Sequence, residues 1–318
     1  MTERLRASEY FELYTLANNH REIKALLRQG KITLAVIFPA DYGRKSDAQV
    51  QILSDATNPN QATQLTAFAT TIIGEQLSEH ANELNPSASS HSKPTATNAQ
   101  SIATTDIRPI PHLLYNPEMK GSYNFVPGIM GLILILICAM MTSVGIVREK
   151  ETGTMEVLLV SPLKPIAIIL AKAIPYLVIS LVNITTILLL SYFLLDVPTR
   201  GSVVLLVSIS ILYAIVSLSL GLLISTIADT QQAAMLISGV VLMLPVMLLS
   251  GMMFPIENMP KVLQWVSHLV PAKWYIIAIR DVMIKGLPLS SVLPEIGILT
   301  TMAVGIISLS VKRFNIRL

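Results

Sequence analysis

Residues 125–165 read FVPGIMGLILILICAMMTSVGIVREKETGTMEVLLVSPLKP, and the reading of this stretch decides the fold. From Phe125 to Val147 no side chain is charged, a run long enough for one helix to cross the hydrocarbon core, which takes about 20 apolar residues. Charge then returns at once, with Arg148, Glu149, Lys150, Glu151 and Glu156 ahead of Pro162 and Pro165. Such a segment cannot stay in lipid. Wound as a helix it puts Met155, Leu158 and Leu159 on one face, with Glu149, Lys150, Glu151 and Glu156 elsewhere around the axis. The pattern predicts a short amphipathic helix at the interface over 148–165, stopped by the two prolines, which turn the chain back to the bilayer.

Four more apolar runs follow, at roughly 166–195, 202–227, 233–254 and 290–311, so five crossings are predicted. The composition agrees, with 52% hydrophobic and 14% charged residues, well to the apolar side of a soluble domain. Short cytoplasmic loops are enriched in Lys and Arg. With 148–165 inside, that side holds Arg148, Lys150, Lys164, Lys172, Lys312, Arg313 and Arg317, against Arg200, Lys261, Lys273, Arg280 and Lys285 outside. This orientation puts residues 1–124 outside the cytoplasm. A translocated domain needs a leading signal or membrane helix, and none stands ahead of it, so a further helix is expected before Met1 and the chain reads as a truncation or a misplaced start; the alternative is the opposite topology.

Residues 1–124 read as a soluble α/β domain. Asn18-Asn19 ahead of HREIKALLRQ and Gly30 after it delimit a helix. KITLAVIF and AQVQILSD read as strands. QATQLTAFATTIIGEQLSEHANEL repeats apolar residues at helical spacing. Residues 85–106, rich in Ser, Thr, Ala, Asn and Pro, have the composition of a disordered loop, and IRPIPHLLYN after them is extended. Tyr115 and Tyr123 suit a membrane-interface belt.

Several function classes are excluded or left without a site. A net charge of +3 and no basic stripe with aromatics argue against nucleic-acid binding. The single cysteine, Cys138, lies in an apolar run and can form no internal disulfide. The five histidines show no metal-ligand spacing. The chain holds no G-x-x-x-x-G-K-[ST] phosphate loop, so it is not its own motor, and no H-E-x-x-H or G-x-S-x-G. An ion-coupled secondary transporter would place an ionisable residue deep in a span, whereas Asp196, Arg200, Asp229 and Lys172 lie near run ends.

At YNPEMKGSYNFVPGIMG, REKETGTMEVLLVSPLKP, LLSGMMFPIENMP and PAKWYIIAIRDVMIKG the chain resembles the type-2 ABC exporter permeases, in the branch with a large external domain between the first two membrane helices. The resemblance covers nearly the whole chain and departs from the family at one point, since the family has six membrane helices and the first is absent here. It implies an α-helical polytopic membrane protein of the bacterial inner membrane, with an extracytoplasmic α/β domain over 1–124 and a permease domain over 125–318. It implies external re-entrant helices over 255–289. Its coupling helix, which docks on a cytoplasmic ABC ATPase, matches Arg148, Glu149, Lys150, Glu151, Gly153, Thr154 and Glu156. A second permease subunit, homo- or heterodimeric, and ATP with Mg on the ATPase complete the assembly. The cargo expected on family grounds is a drug, lipid or other amphiphile moved outward by alternating access. The plain alternative for the charged turn is a solvated interfacial helix obeying the positive-inside rule, and for the chain as a whole a decayed, non-transporting subunit.

Asn183, Tyr213, Met243 and Met247 are candidates for a translocation path, through polarity inside a span or soft adaptable surface; interhelical hydrogen bonds and packing explain them equally. Asp229 and Gln232 form a D-x-x-Q arrangement that fits a capping box for the fourth run. Pro175 and Pro245 should kink their helices.

Overall fold

The computed structural model describes residues 11–17, 19–38, 50–84, 110–154 and 165–316. The chain divides into two compact units, Met1–Lys120 and Gly121–Leu318.

In the first unit, helix α1 (His20–Arg28) starts at Asn19, whose side chain accepts from the Arg21 amide at 3.1 Å. It is followed by Gly30 at φ 68°, the left-handed geometry that suits glycine after a helix. Strand β1 (Leu34–Ile37) runs antiparallel to β2 (Gln51–Asp55), and β3 (Ile110–Leu114) lies parallel to β2 on its other side. A parallel neighbour demands a crossover, and helix α2 (Pro59–Leu84) lies between the two strands in sequence. The central strand shows why alternation alone understates it. Ile52 packs with Val50, Ala69 and Ile73, while Leu53 packs with Ile23 and Leu27. The sheet thus has α2 on one face and α1 on the other. The expected disordered loop at 85–106 lies outside the described residues.

The second unit is helical: α3 (Ser122–Glu151), α4 (Pro165–Phe193), α5 (Val203–Ile227), α6 (Gln231–Leu236), α7 (Leu242–Leu249), α8 (Lys261–Ser267), α9 (Pro271–Met283) and α10 (Leu293–Ile316). Among the described residues, five stretches are long and apolar enough to cross a membrane: Ser122–Glu151, Ile174–Phe193, Val203–Ile227, Gln231–Leu249 and Leu293–Ser310. These are the five runs read from the sequence. Segment 255–289 consists of short pieces, a 3₁₀ turn (Ile256–Asn258), α8 and α9.

The fourth span is not one regular helix. A π-helical turn, Ile237–Val241, separates α6 from α7, ahead of Pro245. Such turns sit at functional sites more often than chance.

Helices α3 and α5 form the centre. Their approach is close because Gly221 lies directly against the backbone of Ala139, the small-residue contact that lets membrane helices pack without a hydrophobic driving force. Helix α3 also packs on α4, α6, α7 and α9. Two buried polar sets stitch these helices. Tyr213 stacks on Tyr275 with ring centroids 4.2 Å apart and donates to the Gly131 carbonyl at 3.1 Å, while the Tyr275 hydroxyl meets Ser210 at 2.9 Å. Asn124 donates to the Met252 carbonyl at 2.7 Å and accepts from Arg280. By contrast α4 and the fourth span keep apolar side chains such as Val182, Leu189, Val240 and Leu244 exposed.

Candidate coupling site

Arg148–Glu151 form the last turn of α3 rather than the start of a separate helix. Nothing in Val147-Arg-Glu-Lys-Glu breaks a helix, and Glu, Lys and Arg are good helix formers. The break comes at Gly153, which takes φ 71°. The end is well capped: Thr152 N donates to the Arg148 carbonyl at 3.0 Å, its hydroxyl reaches the same oxygen at 2.9 Å, and Gly153 N donates to Lys150. The Thr154 hydroxyl lies 3.0 Å from that of Thr152 and reaches the Glu149 carbonyl at 3.3 Å. These bonds satisfy carbonyls a helix end would otherwise leave open. Arg148, Glu151, Thr152, Gly153 and Thr154 are exposed, while Glu149 and Lys150 are half-buried. The remainder of the predicted amphipathic helix, including Met155, Glu156, Leu158, Leu159 and Pro162, lies outside the described residues.

The charged turn is attached to the turn between α5 and α6. The Lys150 ammonium donates to the Ser225 carbonyl in the last turn of α5. The Glu151 carboxylate takes both donors of Gln231, the first residue of α6: the backbone N at 2.9 Å and the side-chain amide. A cation thus sits at a helix C-terminus and an anion at a helix N-terminus, the signs the two dipole ends favour. Beneath them Val147, Ala228 and Ala234 form a small apolar core with Val144, Ala233 and Ile237.

The capping residue of α6 is Thr230, not Asp229. Its hydroxyl accepts from the Ala233 amide at 3.1 Å. The D-x-x-Q spacing misplaces the start by one residue, because Thr230 itself reaches the third helical amide. Ser225, Thr230 and Gln231 were not singled out in the sequence; the partnership of Glu151 with a residue 80 positions away carries no local signal.

The four candidates for a translocation path do not assemble into one lining. Tyr213 is fully buried against α3 and α9, where it packs a core. Asn183 is half-buried on α4, which packs on α3 and α5; Met243, exposed, and Met247, half-buried, lie on α7, which packs on α3, α8 and α9. Among the described residues no cluster of three His, Cys, Asp or Glu could hold a metal ion.

The profile of the ABC-2 family transporter proteins matches residues 1–312. The probable multidrug ABC transporter permease YbhS of Escherichia coli K12 is 29% identical over 291 residues, 90% of this chain and 73% of that protein. The probable multidrug ABC transporter permease YbhR of the same organism is 29% identical over 296 residues, 92% of this chain and 76% of its own length. The inner membrane transport permease YhhJ, also of Escherichia coli K12, is 27% identical over 294 residues, 89% and 72% respectively. With five spans, a charged turn fixed to the membrane core and this match over nearly its whole length, the chain belongs to the ABC-2 family of transporter proteins, as a membrane-spanning permease subunit of an ABC exporter.

Proposed function

We propose that the chain works as one of two permease subunits served by two cytoplasmic ATPase subunits, and that it moves drug-like or lipid-like amphiphiles outward across the bacterial inner membrane. ATP and Mg bind the ATPase partner. The relatives named for multidrug transport support the cargo class, and the 148–154 turn supports the route of energy. It is an exposed charged end on a central helix, capped and anchored to a neighbouring helix pair, so a push on it is carried into the membrane unit rather than absorbed by a loose loop. In this reading the turn faces the cytoplasm, residues 1–124 lie outside, and closure of the ATPase pair tilts the spans from an inward to an outward opening. Apolar side chains left exposed on the fourth span, Met243 and Leu244 among them, suit a soft surface for varied apolar cargo.

The test is co-expression with the cognate ATPase, comparing wild type with the double variant Glu149→Lys and Glu156→Lys. Loss of co-purification and of ATP-dependent dye efflux is expected. Equal association and efflux in both would sink the coupling role of this turn.

A further inference from the structure

The two adjacent charges Lys150 and Glu151 have partners within the permease itself. Lys150 holds the end of α5 through Ser225, and Glu151 holds the start of α6 through both donors of Gln231. Two turns deeper on α3, the Ser143 hydroxyl meets that of Ser238 at 2.8 Å, with both side chains fully buried. Helix α6 is therefore tied to α3 at each end, at Gln231 and just past Leu236. The second tie falls inside the π-helical turn Ile237–Val241, at its second residue; Gly239, just past it, has open space around it, and α7 follows. A π turn holds its carbonyls and amides in a register that a local shift can convert to α. The first half of the fourth span is thus fixed to the charged turn, and the second half is joined to it through an irregular turn.

We propose that Glu151, with Lys150 beside it, is a positioning residue that latches the first turn of the fourth span to the coupling turn. By this latch α6 moves with α3 when the ATPase pushes, and the part of the π turn beyond Ser238, residues 239–241, takes up the change of direction to α7. The proposal rests on the reading of residues 148–154 as the ATPase-facing turn, and it separates two roles within it: Glu151 works inside the permease, leaving docking to other residues of the motif. An amphiphile-binding face on α7 would then turn relative to α6 while the cytoplasmic end stays rigid.

The experiment uses the full chain in complex with its ATPase, in vesicles, with a fluorescent amphiphilic dye as cargo. Glu151→Ala is expected to keep co-purification and ATP hydrolysis while dye moved per ATP hydrolysed falls about fivefold, the low end of ordinary coupling between sites. The exchange Glu151→Gln with Gln231→Glu puts an amide opposite a carboxylate again, leaves an acceptor for the residue 231 amide, and should restore the ratio to within about twofold of wild type. Loss of co-purification in Glu151→Ala, unrescued by the exchange, would overturn the proposal by making Glu151 a docking residue. An unchanged ratio would overturn it as well. A readout independent of transport is amide hydrogen exchange of residues 231–233 in the detergent-solubilised chain. Glu151→Ala should speed it about fivefold and the exchange variant should restore it; no change there refutes the latch even if efflux itself, and with it the transport reading, fails.

Discussion

Replacing Gly221 by alanine tests the packing on which the whole membrane unit depends. A Cβ at this position would lie 2.4 Å from the Ala139 carbonyl oxygen, 2.9 Å from the Ala139 Cα and 2.9 Å from the Thr142 Cβ. Two of these three atoms are backbone, so no rotamer change relieves the clash. Helices α3 and α5 must separate by at least 0.6 Å to bring the shortest contact from 2.4 Å to the 3.0 Å that real Cβ atoms respect. Overpacking of a close-packed core costs about 1–3 kcal/mol, and with rigid neighbours the upper half of that range is expected. The widening also falls one turn ahead of Ser225, whose carbonyl accepts from Lys150, so that contact should loosen with it. Gly239→Ala is the matched control: it lies in the fourth span with nothing within 4 Å of the added carbon, and it should be neutral or stabilising by up to about 1 kcal/mol, the usual helix gain over glycine. The assay is unfolding of the purified chain in mixed micelles at increasing SDS fraction. A Gly221→Ala variant as stable as Gly239→Ala would refute the reasoning that α3 and α5 meet backbone to backbone.

Asn124→Ala takes from Arg280 a buried acceptor and from the Met252 carbonyl its donor, for a loss of about 1–3 kcal/mol; Asn124→Asp, which keeps an acceptor for Arg280, should lose less in the same SDS titration. Tyr213→Phe should cost about 1 kcal/mol, the bond to Gly131, while Tyr213→Ala should cost about 3–5 kcal/mol by removing the ring stacked on Tyr275. Thermal melts that rank the two variants alike would count against the stack. Ser143→Ala and Ser238→Ala remove the two halves of one buried hydroxyl pair, so the double variant should be no less stable than the worse single one; strictly additive losses would mean the hydroxyls act separately.

Five apolar runs, the charged turn between the first two and the helix–strand–strand order of the first unit were legible in the sequence, because each follows from local composition and period. A span announces itself by length without charge, and the start of α1 by Asn19. The same locality explains what was missed. The D-x-x-Q spacing pointed to Asp229, but which hydroxyl or carboxylate reaches the third amide depends on backbone angles, and Thr230 does so. Tyr213 looked like polarity inside a span, a candidate for a path; only the crossing of α3, α5 and α9 shows its hydroxyl spent on Gly131 and its ring on Tyr275. The charges at 148–151 looked like a separate interfacial helix, yet no breaker precedes Gly153, so they continue α3.

By itself, then, the sequence determined that this chain spans a membrane and where its charged turn falls, since burial in lipid is a property of single segments. Only the tertiary structure decided what that turn holds. The partners of Lys150 and Glu151 lie 75 and 80 residues further on, and their meeting depends on α3 and α5 approaching closely enough, over Gly221 and Ala139, to bring one helix end beside two others.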